Sequence, residues 1–175
     1  MARAIEERPV SIPQVIHQML LTFHSEQLGI VTPIYGHEMP TKVRQFLQKA
    51  DFRCNYFYLI LTYGNRHGGA RELAKQFCDD CGISVDYINV LGMVDNWLPA
   101  FDMDEQRQID KMIDEHLSAI KEDIAQHRKM ITAVAEEDRA EEKSKCARPQ
   151  SKHHADRPHG SQPAVDQQAS FLTWG

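Results

Sequence analysis

The chain has 175 residues and a formal net charge of −5, so we expect a single domain with a core of ordinary size. The acidic balance argues against a nucleic-acid partner, which is held by clustered Lys and Arg. Four unevenly spaced cysteines form no disulfide framework. The first residues lack the apolar core of a signal peptide, and no apolar run reaches the about 20 residues of a membrane helix. We therefore expect a cytoplasmic protein that binds neither nucleic acid nor membrane.

The N-terminal part of the chain predicts one complete strand–loop–helix unit. Residues 9–12 are expected to be extended, and residues 13–22 carry apolar side chains at helical spacing, which predicts a helix or a helical turn. The apolar run over 28–33 predicts a buried strand. A loop of turn residues over 33–40 follows, and a helix is predicted over Thr41–Lys49.

Two further units repeat this order. Asp51–Asn55 is predicted to be a turn, and strand 56–62 is apolar on both faces, as a central parallel strand should be. A loop with several glycines then leads to a helix predicted over 70–81, which Gly82 is expected to end. Strand 84–92 alternates only in part, which predicts a position nearer the edge of the sheet.

A long helix is predicted over 104–135. Its apolar residues recur at spacings of four and three, with His127 in the place of one of them. These apolar residues are Ile113, Leu117, Ile120, Ile124, Ile131 and Val134. Two interpretations stay open: the helix packs on the sheet with a frayed end, or its end meets a partner subunit.

The composition changes after residue 136. A charged run comes first, and residues 146–175 are then rich in Pro, His, Gln and Ser with almost no aliphatic residues, so they cannot bury enough apolar surface to offset the entropy of ordering. We predict a domain over 1–140 and a disordered polar tail over 141–175. The tail histidines are interpreted as chance composition rather than as a metal site.

Three strand–loop–helix units in series predict an α/β fold in which helices flank a parallel sheet. The carboxyl ends of parallel strands share one edge, and ligands of open α/β sheets bind outside that edge. The loops that follow strands 28–33, 56–62 and 84–92 are therefore expected to form the functional site.

One motif falls in each loop: TPIYGHEMP from Thr32, TYGNRHGGA from Thr62 and VDNWLPAFD from Val94. In this order they resemble the flavodoxin-like domain of the bacterial and archaeal flavodoxin–ferredoxin fusion proteins, over roughly residues 10–130. The resemblance implies a flavodoxin-like fold and an FMN cofactor whose isoalloxazine ring the three loops surround. The implied cofactor-binding residues are Pro33, Tyr35, Gly36, Thr62, Tyr63, Gly64, Asn65, Gly69, Asp95, Asn96 and Trp97.

These residues have different expected roles at the ring. Tyr35 and Trp97 are candidates for the ring faces, and the glycines let the backbone approach the ring edge because they carry no Cβ. The acidic Asp95 is expected to disfavour the anionic, reduced form of the flavin. Candidates for hydrogen bonds to the pyrimidine edge are Thr62, Asn65 and Asn96.

The resemblance begins late in the family's fold. The family opens with a strand and a glycine-containing loop that holds the FMN phosphate. No such loop occurs in this sequence, and only 27 residues precede the first clear strand. Strand 28–33 is therefore expected to present an unpaired edge. Three explanations stay open: a fragment, a second chain that supplies the missing piece, or a fold that has lost FMN.

Two functions are consistent with these patterns. The first is an FMN-dependent electron-transfer or oxidoreductase module that receives electrons from a redox partner protein or a nicotinamide. The alternative is a truncated or degenerate domain without FMN, which acts as an interaction module. Its partner, or a second copy of the chain, would bind the exposed edge of strand 28–33 or the 104–135 helix.

The cysteine pair Cys78 and Cys81 is interpreted as structural. A redox C-x-x-C motif needs its first cysteine at a helix N-terminus, where the helix dipole lowers the thiol pKa. Here the pair lies at the end of a predicted helix, with two aspartates between the cysteines. No metal site and no catalytic side chain is predicted.

Overall fold

The computed structural model describes residues 9–94, 102–131 and 171–173. Six strands form one sheet in the order β1-β8-β3-β5-β6-β7, and every neighbouring pair is parallel. These strands are β1 (Val10–Ser11), β3 (Gln27–Pro33), β5 (Tyr56–Tyr63), β6 (Tyr87–Gly92), β7 (Met130–Ile131) and β8 (Phe171–Thr173). A separate two-stranded parallel sheet pairs β2 (Thr22–His24) with β4 (Asp51–Arg53).

Helices cover both faces of the main sheet, which confirms the predicted α/β class. One face packs apolar side chains of β3 and β5 against α1 (Ile12–Val15), α2 (Thr41–Lys49) and α3 (Ala70–Asp80). The other face packs against α5 (Ile113–Ala125), which follows the short α4 (Met103–Gln108). In the described ranges, no helix combines the length and the apolarity needed to cross a bilayer.

The first two units follow the sequence closely because their local signals agree with their packing. β3, α2 and β5 match their predicted ranges to within one or two residues. Helix α3 ends where Gly82 adopts a left-handed φ of 74°. Gly82 N donates to Asp79 O at 2.9 Å, and Ile83 N donates to Cys78 O at 2.8 Å. This pair of bonds is a Schellman motif, and it confirms Gly82 as the stop signal.

The single helix predicted over 104–135 is wrong across the described residues. Helix α4 ends at Gln108, and Met112, with a left-handed φ of 47°, precedes α5. At the other end, His127 adopts a φ of 48°, and Arg128 N donates to Asp123 O at 2.9 Å. His127 therefore ends α5 instead of extending its apolar stripe. Residues 132–135 lie outside the described ranges.

Other predictions were wrong at boundaries or in short elements. The helix or helical turn predicted over 13–22 is a helical turn, α1, that ends early at Val15, and the strand predicted over 84–92 begins at Tyr87. The turn predicted over Asp51–Asn55 contains strand β4, whose partner β2 was not predicted. Strands of three residues carry too little periodicity to be recognised without their partner.

Strand β8 pairs the edge that was expected to be open. Its residues lie in register with Gly29–Val31 of β3 on one side and with Val10–Ser11 of β1 on the other. The expectation of an unpaired edge on strand 28–33 is therefore wrong over these residues. β8 falls within the predicted tail 141–175, and the rest of that tail lies outside the described residues. The strand has only three residues in a tail of largely polar composition, so the sequence contained too short an apolar run to predict it.

The amino edge of the sheet, where β3, β5 and β6 begin, is fastened by side-chain hydrogen bonds. Tyr87, which is fully buried, donates to Asp123 Oδ2 at 3.0 Å and accepts from Asn89 Nδ2 at 2.7 Å. Arg128 pairs with Asp123 Oδ1 at 2.8 Å, and its carbonyl accepts the Tyr56 hydroxyl at 2.8 Å. Burial, together with the neighbouring Asp123 carboxylate, raises the pKa of Tyr87 to about 12. The network ties the end of α5 to the sheet.

Asp86 provides a second carboxylate that stabilises the same edge. Asp86 accepts a hydrogen bond from the backbone N–H of Phe57 at 3.0 Å and pairs with Lys129 Nζ at 2.9 Å. Burial by itself would raise the pKa of the Asp86 carboxyl. The hydrogen bonds from Lys129 and Phe57, with the Lys129 charge, outweigh burial and hold this pKa below its ordinary value.

Candidate functional site

The carboxyl edge of the sheet consists of the loops that follow Pro33, Tyr63 and Gly92. Parallel pairing places Pro33 opposite Thr62 and Tyr63 opposite Gly92. The pairing continues into the loops, because Ile34 N donates to Thr62 O at 3.0 Å and Met93 N donates to Tyr63 O at 2.7 Å. The first two predicted loops and the start of the third therefore leave the sheet side by side.

The loop after β3 begins with a tight turn over Tyr35–Glu38. The two end residues exchange backbone hydrogen bonds of 2.9 Å and 3.2 Å. Gly36 and His37 have φ values of 58° and 73°, so both central residues are left-handed, as in a type I′ turn. This geometry carries the Tyr35 ring to the surface, where 66% of the residue is exposed.

His37 joins this loop to the loop after β5. Its ring lies so close to Gly68 that a Cβ added there would come within 2.1 Å of Nδ1. Gly68 is buried and left-handed, with a φ of 49°. His37 Nδ1 is itself buried and has no hydrogen-bond partner among the described residues. The contact makes Gly68, and not the predicted Gly69, the position where the loop needs glycine, because Gly69 has an ordinary φ of −78°.

The loop after β5 carries a second ring pair. Tyr63 and His67 meet edge to face with centroids 5.0 Å apart. His67 Nδ1 lies 2.9 Å from Gly68 O. Asn65 is exposed, and Thr62 is half-buried at the end of β5. The two histidines of the motifs, His37 and His67, thus both pack at the base of this loop.

A cavity of about 350 Å³ opens at the carboxyl edge. Three of its lining residues, Tyr63, Gly64 and Asn65, belong to the predicted site, and Gly92 forms another part of the wall. The remaining wall comes from the α4–α5 connection, residues 109–112, and from His116. A second cavity of about 360 Å³ lies between α2 and α3, and Glu38 and Met39 of the loop after β3 form part of its wall.

Lys111 is one of the cavity residues that sequence reasoning missed. Its Nζ donates to Gly64 O and to Met93 O, each at 2.7 Å. One ammonium group therefore holds the ends of the β5 and β6 loops against the α4–α5 connection. The residue lies in a charged stretch of sequence with no motif around it, so no local signal could have identified it.

The structure brings together only part of the predicted site. Tyr63, Gly64 and Asn65 line the cavity, whereas Tyr35 projects from the neighbouring loop and is not part of the wall. Pro33, Gly36, Thr62 and Gly69 lie at the same edge but do not line the cavity. Asp95, Asn96 and Trp97 lie outside the described residues.

The described residues give little support for a reactive thiol or for a metal site. Cys78 is a free, buried thiol near the end of α3, and its pKa is raised to about 12 by burial, then by Cys81 and Asp79. A thiol with a raised pKa is a poor nucleophile, which supports the structural interpretation of the pair. No group of three or more metal-binding side chains occurs within these residues.

The comparisons with known proteins identified no relative. No protein-family model, no curated protein and no solved structure matches this chain.

Proposed function

We propose that this chain is a flavodoxin-like electron-transfer module whose carboxyl-edge cavity accepts the isoalloxazine ring of FMN. The observation that carries the proposal is the cavity itself, which lies where Tyr63, Gly64, Asn65 and Gly92 meet. Open parallel sheets bind their ligands outside this edge. Two of the three motifs that resemble the flavodoxin–ferredoxin fusion family fall in loops of the same edge, and the third begins there at Val94.

The strand order supports a flavodoxin-like fold. That fold has five parallel strands in the order 2-1-3-4-5. Five of the six strands, in the order β1-β8-β3-β5-β6, match it in space when β8 takes the position of the family's first strand, and β7 adds a sixth strand beyond β6. The chain reaches that position last instead of first, so the match concerns the arrangement of the strands and not their sequence order.

The residues around the cavity fit a flat ring better than a whole nucleotide. Its volume of about 350 Å³ is at the small end of the range for ligand pockets. Gly64 and Gly92 bring backbone to the wall without a Cβ, and the exposed Asn65 amide is available for hydrogen bonds at the ring edge. The phosphate loop of the family is missing from this sequence, so the ring is the part of FMN that we expect these residues to recognise.

Lys111 would set the charge next to the ring. Its ammonium group lies in the cavity wall and is held there by the carbonyls of Gly64 and Met93. FMN, when bound, supplies the electron-transfer chemistry, and the protein supplies orientation and electrostatics. A fixed positive charge favours an anionic reduced flavin, which is opposite in sign to the effect expected of Asp95.

Apolar residues at the same edge suit contact with an electron donor. Several of the exposed large apolar side chains lie there, namely Tyr35, Val94, Ile109 and Met112. Exposed apolar patches mark interaction surfaces. We propose that a redox partner protein or a nicotinamide delivers electrons at this surface.

Titration of FMN and of riboflavin with the purified chain tests the function. Flavin fluorescence should be quenched by the protein with both ligands, and the two dissociation constants should agree within about threefold because the ring carries the recognition. The riboflavin arm is the matched control for the phosphate. Absence of quenching with both ligands, in protein shown to be folded by circular dichroism, would exclude a flavin site in this chain.

A further inference from the structure

Strand β8 occupies an interior position of the main sheet although it is remote in sequence from both neighbours. Leu172 is in register with Val10 of β1 and with Ile30 of β3. Among the described strands, β1 pairs only with β8. The position between β1 and β3, which we call the strand slot, therefore has to be filled for β1 to belong to the sheet.

Leaving the strand slot empty would be costly. Ile30 is fully buried and Val31 nearly so, and a buried backbone group that is left without a hydrogen-bond partner destabilises the fold. The slot needs only an extended backbone in parallel orientation to satisfy these groups. Any strand with the backbone of residues 171–173 can do this, whichever copy of the chain it belongs to.

The occupant is short and joined by a long connection. β8 has three residues, so fewer backbone hydrogen bonds hold it in the sheet than hold a longer strand. It can therefore leave the strand slot more readily than a longer strand could. Thirty-nine residues, 132–170, separate it from β7. A connection of that length can reach roughly 130 Å when fully extended. This distance is several times the diameter of a domain of this size.

We propose that the strand slot is a strand-acceptor site that takes residues 171–173 of a second copy of this chain as well as its own. The exchanged form is a dimer in which each copy donates β8 to the other. The backbone hydrogen bonds of β8 to β1 and β3 are identical in the closed monomer and in the dimer. Concentration therefore decides between the two, because the tether gives the chain's own β8 an effective concentration of the order of millimolar.

A disulfide placed across the registered pair distinguishes the two forms. Val10→Cys with Leu172→Cys joins neighbouring parallel strands, whose spacing suits a disulfide. The full chain is unfolded, refolded at about 1 µM and at about 100 µM, and then oxidised. The peptide pair linked through positions 10 and 172 is identified by mass spectrometry from the separated monomer and dimer. The interchain share of this linked pair should rise at least about tenfold with concentration.

Each outcome decides the proposal. An intrachain bond at both concentrations, with no interchain bond, would overturn exchange, and absence of the bond in either form would overturn the strand slot itself. Leu172→Cys alone is the matched control, because any dimer that it forms is linked through thiols other than the registered pair at positions 10 and 172. If the first pair fails to fold, Ser11→Cys with Thr173→Cys repeats the measurement at the next registered position.

Discussion

The two ends of the same strands are built in opposite ways. At the amino edge, the Tyr87 hydroxyl donates to the Asp123 carboxylate, and the Tyr56 hydroxyl donates to the Arg128 carbonyl. At the carboxyl edge, the backbone uses left-handed turns, a buried imidazole nitrogen has no hydrogen-bond partner among the described residues, and a cavity stays open. One end of the sheet is thus satisfied and closed, and the other is strained and accessible.

The amino edge is therefore expected to contribute mainly to stability, and the carboxyl edge to contribute mainly to function. Satisfied polar networks fix an element in one position. Strain and open space persist only where the surrounding structure imposes them, and they concentrate at functional sites. Substitutions in the amino-edge network should therefore change the free energy of unfolding and leave ligand binding unchanged, whereas substitutions of residues that line the cavity should affect ligand binding first.

The largest effect should come from Gly68→Ala. The new Cβ needs a left-handed φ of 49° and meets the His37 ring at 2.1 Å, so unfolding should become easier by about 3 kcal/mol. Gly36→Ala is the matched control, since its φ is 58° with open space around it, and it should cost about 1 kcal/mol. Urea denaturation measures both. Equal costs would mean that the His37 contact contributes nothing.

Asp123→Ala should destabilise the protein by about 2 kcal/mol, because it removes the acceptor of the Tyr87 hydroxyl and the partner of Arg128. Flavin affinity should stay unchanged, since the residue lies at the amino edge. Glu122→Ala, at the exposed neighbouring position, should cost less than about 0.5 kcal/mol. Thermal or urea unfolding of the two variants provides the comparison, and a similar loss in both would contradict the role of the network.

Gly92→Ala should weaken flavin binding about tenfold, or about 1.4 kcal/mol, while leaving the fold intact. The added Cβ would lie 3.4 Å from Tyr63 Oη and 3.9 Å from Lys111 Cδ, which are ordinary contacts. The added methyl group narrows the cavity without a steric clash. The measurement is the fluorescence titration with FMN, with urea denaturation as the check on folding. Undiminished affinity would place the flavin elsewhere.

Lys111→Met should lower the midpoint potential of bound flavin, because it removes the positive charge from the cavity wall while keeping a long apolar side chain. It also removes two hydrogen bonds, to Gly64 O and Met93 O, at a cost of about 1 kcal/mol in unfolding free energy. Lys121→Met, on the exposed face of α5, is the control. A potential that does not change relative to this control would show that Lys111 acts on structure alone.

Asp86→Asn should reduce acid sensitivity, which is the smallest effect. The folded-state pKa of Asp86 lies below its ordinary value of 3.8. Its stabilising contribution is therefore complete above the unfolded-state pKa and is lost as pH falls through the folded-state pKa. The variant should show a flatter dependence of stability on pH below about pH 4. Lys129→Met should flatten it in the same way, and a slope unchanged in both would contradict the pairing.

Local sequence signals predicted the parts of the fold that depend on nearby residues. The apolar runs of β3 and β5 and the apolar stripe of α2 predicted these elements within one or two residues. Gly82 marked the end of α3 because a left-handed C′ position favours glycine. His127 adopts the same conformation without being a glycine, so the end of α5 was missed.

The site was predicted in part for the same reason. Parallel strands bring their carboxyl ends together, so Tyr63, Gly64 and Asn65 could be placed at one edge from the sequence alone. Lys111 could not, because its two partners, Gly64 and Met93, are 47 and 18 residues away in the chain. Gly68 also required the structure, since the contact with His37 joins two separate loops.

By itself, the sequence determined the α/β class, the central strands and the edge at which the motif-bearing loops meet, because periodicity and turn chemistry act over a few residues. Only the tertiary structure decided which segment lies between β1 and β3, which lysine closes the cavity wall and which tyrosines and carboxylates fasten the opposite edge. These depend on contacts between residues far apart in the chain. The three residues of β8 are too few to predict a strand by themselves, and their place in the sheet is set by pairing with β1 and β3.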